Sequence, residues 1–355
     1  MPSRIDALAP MRRRRPVFDF IIVVAIVVLL FIAFELGLRI TFRHSMNFDI
    51  EMWKYANELK RVAPDPAIGH EHVPGQRAHL MGVDIVINGQ KLRDHETPFE
   101  KPVGEVRVLM LGDSLTFGWG VSFEDTTSQL LEGLLQARAA PGLRVRVINA
   151  GVGNYNTVQE IAYFLREGYR YDPDVVVLNY FINDAEPVPT KRTVPILSDT
   201  YTYVFLMGRF DVLRREIAGD PSWKQYYRYL YSDGTGGWIA VMKSLAKLAV
   251  YCRAQKIGLL VAHYPELHVL DDYPFKGVRD RLHAAADEIG ARFIDLYPAV
   301  AGKQASSLWV SPTDAHPNGT ANRLFAEHLV ARVGSMLRDG GSPDAEGAGR
   351  GNTTR

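Results

Sequence analysis

The chain has 355 residues, room for one large folded domain or two small ones, and its 47% hydrophobic and 23% charged content is that of an ordinary folded protein. A formal net charge of +1 leaves no overall field to draw nucleic acid, which is not an expected partner. Cys252 is the single cysteine, so an intramolecular disulfide is excluded, and no internal repeat is visible.

The amino terminus carries Arg12, Arg13, Arg14 and Arg15, followed by an apolar segment from Phe18 to about Ile40 that is uncharged between Phe20 and Phe34. A helix crossing the hydrocarbon needs roughly 20 apolar residues. Residues 18–40 are therefore expected to form a membrane anchor. The arginine cluster makes 1–17 a cytoplasmic basic segment and places everything after the anchor outside, in a periplasm if the cell has two membranes. The rival is a cleaved signal peptide. Glu35-Leu36-Gly37-Leu38-Arg39 is a poor cleavage site, which favours an uncleaved anchor.

Residues 41–104 carry Pro64, Pro66, Pro74, Pro98 and Pro102. Val83–Ile87 alternates weakly and runs into Asn88-Gly89, a hairpin turn signal. This stretch reads as a linker with a small β appendage, and as a spacer rather than a working part.

From residue 105 to 338, strand-like and helix-like segments alternate. Val108-Leu109-Met110-Leu111 is a short apolar run closed by Gly112, which reads as a strand buried on both faces. Val145–Ala150, Val175–Tyr180, Leu259–Ala262 and Phe293-Ile294 read as further strands. Val158–Gly168, Ile239–Gln255, Val278–Ile289 and Thr320–Leu337 read as helices. Such alternation argues for an α/β fold, a parallel sheet covered by helices on both faces. Residues 185–237 break the rhythm and read as an inserted cap, rich in tyrosine and carrying Trp223. Its aromatics are expected to pack the cap against the body; the alternative is that a few line a substrate groove or touch the bilayer. The tail, 339–355, is rich in Gly, Ser and Asp and is expected to be disordered.

The chemistry centres on Gly112-Asp113-Ser114, at the carboxyl end of the first strand, where open α/β sheets bind ligands. A neutral serine needs a base to act as a nucleophile. His316 has the most suggestive setting, Ser311-Pro312-Thr313-Asp314-Ala315-His316-Pro317-Asn318-Gly319. If that loop is extended, Asp314 and His316 project to the same side, and Asp314 can orient the imidazole. Acyl transfer also needs donors for an oxyanion. Two loops at strand ends offer them: Gly151-Val152-Gly153-Asn154 and Phe181-Ile182-Asn183-Asp184.

With GDSLTFG at 112–118, a glycine block after 150, an asparagine block at 183 and a terminal His316-Pro317-Asn318, all in order, the chain resembles the SGNH or GDSL family of esterases and lipases over about Val106 to Leu337. The resemblance implies a flavodoxin-like three-layer α/β/α sandwich and no metal or organic cofactor. It implies Ser114 as nucleophile and, through its own N–H, an oxyanion donor. It further implies Asn183 as a second donor, His316 as base and Asp314 as its acid. Three positions depart from the family pattern. The glycine of the second block falls on Asn154, one residue after Gly153, so either can supply the backbone donor. Phe181 replaces a usual glycine and bears on the acyl pocket. The acid more often stands three residues before the histidine, where this chain has Thr313.

These readings describe an anchored esterase acting on an ester-bearing polysaccharide, with O-acetyl groups as one target, or on membrane lipid. An acyltransferase would use the same residues with a sugar hydroxyl in place of water. A non-catalytic binding module is disfavoured by Ser114, Asn183 and His316 occurring together.

Overall fold

A computed structural model describes residues 16–43, 45–188, 198–218 and 222–339. The arginine cluster at 12–15, parts of the expected cap and the tail from 340 lie outside the described residues. In chain order the elements are α1 (Pro16–Thr41), α2 (Phe48–Glu58), β1 (Lys60–Val62), β2 (His70–His72), β3 (Arg77–Leu80), β4 (Val83–Val86), β5 (Glu105–Gly112), α3 (Ser114–Phe117), α4 (Thr127–Gln136) and β6 (Arg144–Gly151). They continue as α5 (Thr157–Arg166), β7 (Val175–Tyr180), α6 (Tyr201–Ala218), α7 (Trp223–Leu230), α8 (Gly236–Gln255), β8 (Gly258–His263) and α9 (Lys276–Ile289). The chain closes with β9 (Arg292–Asp295), α10 (Tyr297–Val300), β10 (Trp309–Ser311), β11 (Asp314–Pro317) and α11 (Gly319–Arg338). Among the described residues two compact units emerge, one holding those up to residue 50 and 198–214, the other those of 51–188 and those after 214.

In the first unit, α1 is, among the described residues, the one helix long and apolar enough to cross a membrane. Its apolar side chains are exposed along most of its length. The Glu35 carboxylate of α1 accepts the Tyr201 N–H at 3.2 Å and the Thr202 N–H and Oγ1–H, both at 2.8 Å. A carboxylate at these first amides of α6 satisfies donors that the helix itself leaves orphaned. Phe34 and Phe42 add ring contacts to Phe205 of the same helix, with centroids 6.5 and 5.9 Å apart.

In the second unit, five parallel strands pair in the order β6-β5-β7-β8-β9. This is the 2-1-3-4-5 order of flavodoxin-like sheets, whose switch point lies beside the first strand. Strand alternation divides the core. Leu109, Leu111, Ile148, Val176, Leu178 and Val261 face one layer, which holds Phe164 of α5, Leu245 of α8 and Leu282 of α9. Val108, Met110, Val147, Val177 and Leu260 face the other, with Leu131 of α4 and Phe325 and Leu329 of α11. Apolar residues at both parities explain why these strands read as continuous runs, since both faces of the sheet are covered.

Within 41–104, the stretch expected as a linker with a small β appendage, residues 51–104 carry packing of their own. Tyr55, Leu59, Leu80, Ile85 and Ile87 form a small apolar core together with Phe117 and Trp119. Asp94 pairs with Arg146 of β6 and accepts the Asn149 N–H at 2.7 Å. Arg107 of β5, fully buried, donates back to the carbonyls of Phe99 and Glu100. The hairpin also runs the other way from the expected one. Val83–Val86 pairs with Arg77–Leu80 before it, through Met81-Gly82. Both turn residues have positive φ, 53° and 74°, as a two-residue turn of the I′ kind demands. Asn88-Gly89 makes a local loop instead, in which the Asn88 side chain accepts the amides of Gln90 and Leu92, each at 2.9 Å.

Candidate active site

β5 ends at Gly112 and the chain turns at once into α3. A Cβ on Gly112 would lie 2.0 Å from Thr116 Oγ1, so only glycine allows the turn to fold back this tightly. Asp113 caps the helix, its Oδ1 accepting the Leu115 N–H at 2.9 Å. Ser114 is then the first helical residue, and its own N–H has no intrahelical acceptor. The buried Arg93 guanidinium braces the far side of this turn. It donates to the carbonyls of Phe117 at 3.1 Å, Gly118 at 2.5 Å and Val121 at 2.7 Å.

His316 arrives on β11, which pairs with β10 in a short antiparallel hairpin. In this extended backbone the side chains of Asp314 and His316 share a side. His316 Nδ1 lies 2.6 Å from Asp314 Oδ1, and its Nε2 lies 2.9 Å from Ser114 Oγ. The carboxylate fixes Nδ1 as the protonated nitrogen, leaving Nε2 as the acceptor toward the Ser114 hydroxyl. Asp314 also receives the indole N–H of Trp119 on Oδ2 at 2.8 Å. Burial works against the Asp314 charge, but the hydrogen bonds from His316 and Trp119 outweigh it and hold the carboxyl below its usual range.

The sequence pattern of the GDSL-like lipase/acylhydrolase family matches residues 110–324, more than half of the chain and the whole span from Ser114 to His316. The chain belongs to this family. It is an ester-hydrolysing serine hydrolase. No curated relative matches it. Among solved structures it is similar to a lipolytic protein of the G-D-S-L family from Desulfitobacterium hafniense (16% identity, 64% of this chain and 98% of that one, TM-score 0.39). It is also similar to a catalytic mutant of an acetylxylan esterase from Geobacillus stearothermophilus (18%, 64% and 94%, 0.43). A third likeness is to an α/β hydrolase from the Lake Arreo metagenome (16%, 66% and 97%, 0.45).

The other wall of this GDSL hydrolase's rim comes from the loops after β6 and β7. Asn183 donates through Nδ2 to Asp113 Oδ2 at 3.0 Å, which uses one of its two amide hydrogens and leaves the other. Its turn is pinned by Asp184, whose Oδ2 accepts the Phe181 N–H at 2.6 Å. Gly153 and Asn154 follow β6, the strand beside β5. The Gly153 N–H donates to Tyr55 Oη at 2.8 Å. Of the two candidates it is Asn154 whose backbone N–H makes no hydrogen bond with the described residues. Asn154 has φ +66°, which asparagine tolerates better than most residues. Among the described residues no group of three or more His, Cys, Asp or Glu is arranged to hold a metal ion.

The sequence reading passed over three residues that contact this site: Tyr55, Arg93 and Trp119. Only Trp119 had a visible signal. It stands between Gly118 and Gly120, both at positive φ, directly after the serine turn.

Proposed function

We propose that Ser114, His316 and Asp314 act as nucleophile, general base and orienting acid, with the N–H groups of Ser114 and Asn154 and the Asn183 amide stabilising the oxyanion. The observation that carries this is the unbroken chain from Ser114 Oγ to His316 Nε2 at 2.9 Å and from His316 Nδ1 to Asp314 Oδ1 at 2.6 Å. Ser114 Oγ attacks the ester carbonyl as Nε2 takes its proton. The tetrahedral oxyanion collapses, the alcohol leaves with the proton from His316, and an acyl-serine remains. Water, deprotonated by the same nitrogen, attacks the acyl-serine and releases the acid and the free serine.

The substrate we propose is an ester on a cell-envelope or exported polysaccharide, O-acetyl groups first among them. An aromatic row supports this. Trp309 of β10 neighbours His268 with centroids 5.3 Å apart, and His268 neighbours Trp223 at 5.6 Å. Trp223 and Tyr226 are each 39% exposed. Flat exposed rings beside the hairpin that carries His316 offer apolar faces to the C–H faces of sugars, with polar edges left wet. α1 would anchor the chain as a single span in the plasma membrane, its amino terminus cytoplasmic and its catalytic unit outside.

The test uses the full chain in detergent micelles. It should hydrolyse short-chain nitrophenyl esters and release acetate from acetylated oligosaccharides. Ser114→Ala and His316→Ala should each lower kcat about a thousandfold or more. A wild-type chain that cleaves neither class of ester would refute the reading. Acetate passed to an added unacetylated glycan in preference to water would reassign the chain as a transferase.

A further inference from the structure

The loop after β6 is gripped from an unexpected place. Tyr55 on α2 and Lys60 on β1 lie 98 and 93 residues before Gly153 in sequence. Tyr55 Oη accepts the Gly153 N–H at 2.8 Å. Lys60 Nζ donates to the Gly153 carbonyl at 2.6 Å and to Asn154 Oδ1 at 2.9 Å. Both backbone polar groups of one glycine are thus held by side chains from one distant segment. The contact leaves no room for anything larger, since a Cβ on Gly153 would stand 2.7 Å from Tyr55 Cε1.

The peptide joining Gly153 to Asn154 is what this grip controls. Its carbonyl belongs to Gly153 and its N–H to Asn154. The chain contains no cis peptide among its described residues, and in a trans peptide the C=O and N–H point in opposite directions. An ammonium bound to the carbonyl on one side therefore aims the Asn154 N–H to the other. It also polarises the peptide, which makes that N–H a stronger donor. We infer that Tyr55 and Lys60 are positioning residues for ester hydrolysis, setting the Gly153–Asn154 peptide so that the Asn154 N–H serves the oxyanion. The inference rests on the triad reading above.

The supports of the grip are themselves fixed. Tyr55 is fully buried, and its Oη lies 2.7 Å from His72 Nε2. His72 Nδ1 lies 3.0 Å from the Lys91 carbonyl, so Nδ1 carries the proton and Nε2 accepts from the tyrosine. Burial pulls His72 down to about 3, which keeps it neutral and able to accept. Lys60 has no carboxylate partner among the described residues. Its ammonium lies 4.2 Å from the centre of the Tyr55 ring. The titratable groups facing it are Tyr55 from α2 and His70 from β2, with His72 of β2 also sensing its charge. Desolvation pulls Lys60 down to about 7, and His70, drawn down to about 4 by burial, is neutral in that range. The cation behind the peptide is therefore present below neutral pH and fades above it.

Tyr55→Phe and Lys60→Met, each in the full chain, test this against Ser114→Ala. Loss of one oxyanion donor costs up to about 100- to 1000-fold in kcat. Tyr55→Phe should lose about tenfold and Lys60→Met about a hundredfold, with KM within about twofold of wild type and melting temperature retained. The wild-type kcat profile should also decline severalfold as pH rises through about 7, a limb that Lys60→Met lacks. Full kcat in both variants with Ser114→Ala inactive would overturn this inference and leave the triad standing. A loss that appears in KM and melting temperature, with the alkaline limb intact in Lys60→Met, would overturn it too. Activity surviving in Ser114→Ala would instead bring down the triad reading beneath it.

Discussion

His316 reaches Ser114 on a hairpin of two short strands, and Asp314, hydrogen-bonded to its ring, stands two residues away in the same strand. Gly153 and Asn154 reach the same rim on a loop whose peptide is gripped by Tyr55 and Lys60, residues that lie outside the family match at 110–324. One wall is self-contained; the other depends on a segment that precedes the hydrolase domain. The Ser114, His316 and Asp314 contacts close within the family match, whereas the loop after β6 takes its backbone contacts from outside it. Residues 51–104 thus contact both the turn after Ser114 and the loop after β6. Arg93 makes the first of these contacts through three carbonyls, and Tyr55 the second.

Breaking the self-contained wall should have the largest effect. Asp314→Asn keeps the shape but removes the charge that selects the imidazole tautomer, and kcat should fall about 100- to 10,000-fold with folding retained. A loss under threefold would show that Trp119 and the hairpin alone hold His316. Breaking the other contact of the 51–104 segment, the Arg93 brace on the turn after Ser114, should act on stability first. Arg93→Ala strands three buried carbonyls at about 1–3 kcal/mol each, so unfolding in urea should come about 3 kcal/mol or more earlier. An unchanged midpoint would show that the brace is dispensable. The smallest effect concerns acid. The Asp314 carboxyl sits below its usual range in the folded chain. Its contribution is therefore present above the ordinary carboxylate value and is lost as pH falls through the folded one. In Asp314→Asn the acid-side loss of stability should be shallower than in wild type.

How much of this was legible follows the same division. Strands β5 and β7 were readable because they are buried on both faces, which makes them continuous apolar runs at Val108–Leu111 and Val175–Tyr180. Asp314 and His316 were readable as a pair because two residues of extended chain bring side chains to one side. The grip of Tyr55 and Lys60 was not, since a contact across more than ninety residues leaves no local pattern. The choice between Gly153 and Asn154 stayed open for the same reason; only the position of Tyr55 Oη assigns the Gly153 N–H. The reversed hairpin has a different cause. Asn88-Gly89 is a strong turn dipeptide, yet Asn88 uses its side chain within its own loop, while Met81, an unremarkable residue for a turn, takes the left-handed conformation that pairs β3 with β4.

Covalent labelling tests the central claim most directly. The full chain is incubated with a fluorophosphonate, and the adduct is located by peptide mass. A single adduct on Ser114, slowed strongly in His316→Ala and absent in Ser114→Ala, is the expected result. No adduct on the wild-type chain, or equal labelling of Ser114→Ala at another residue, would contradict it.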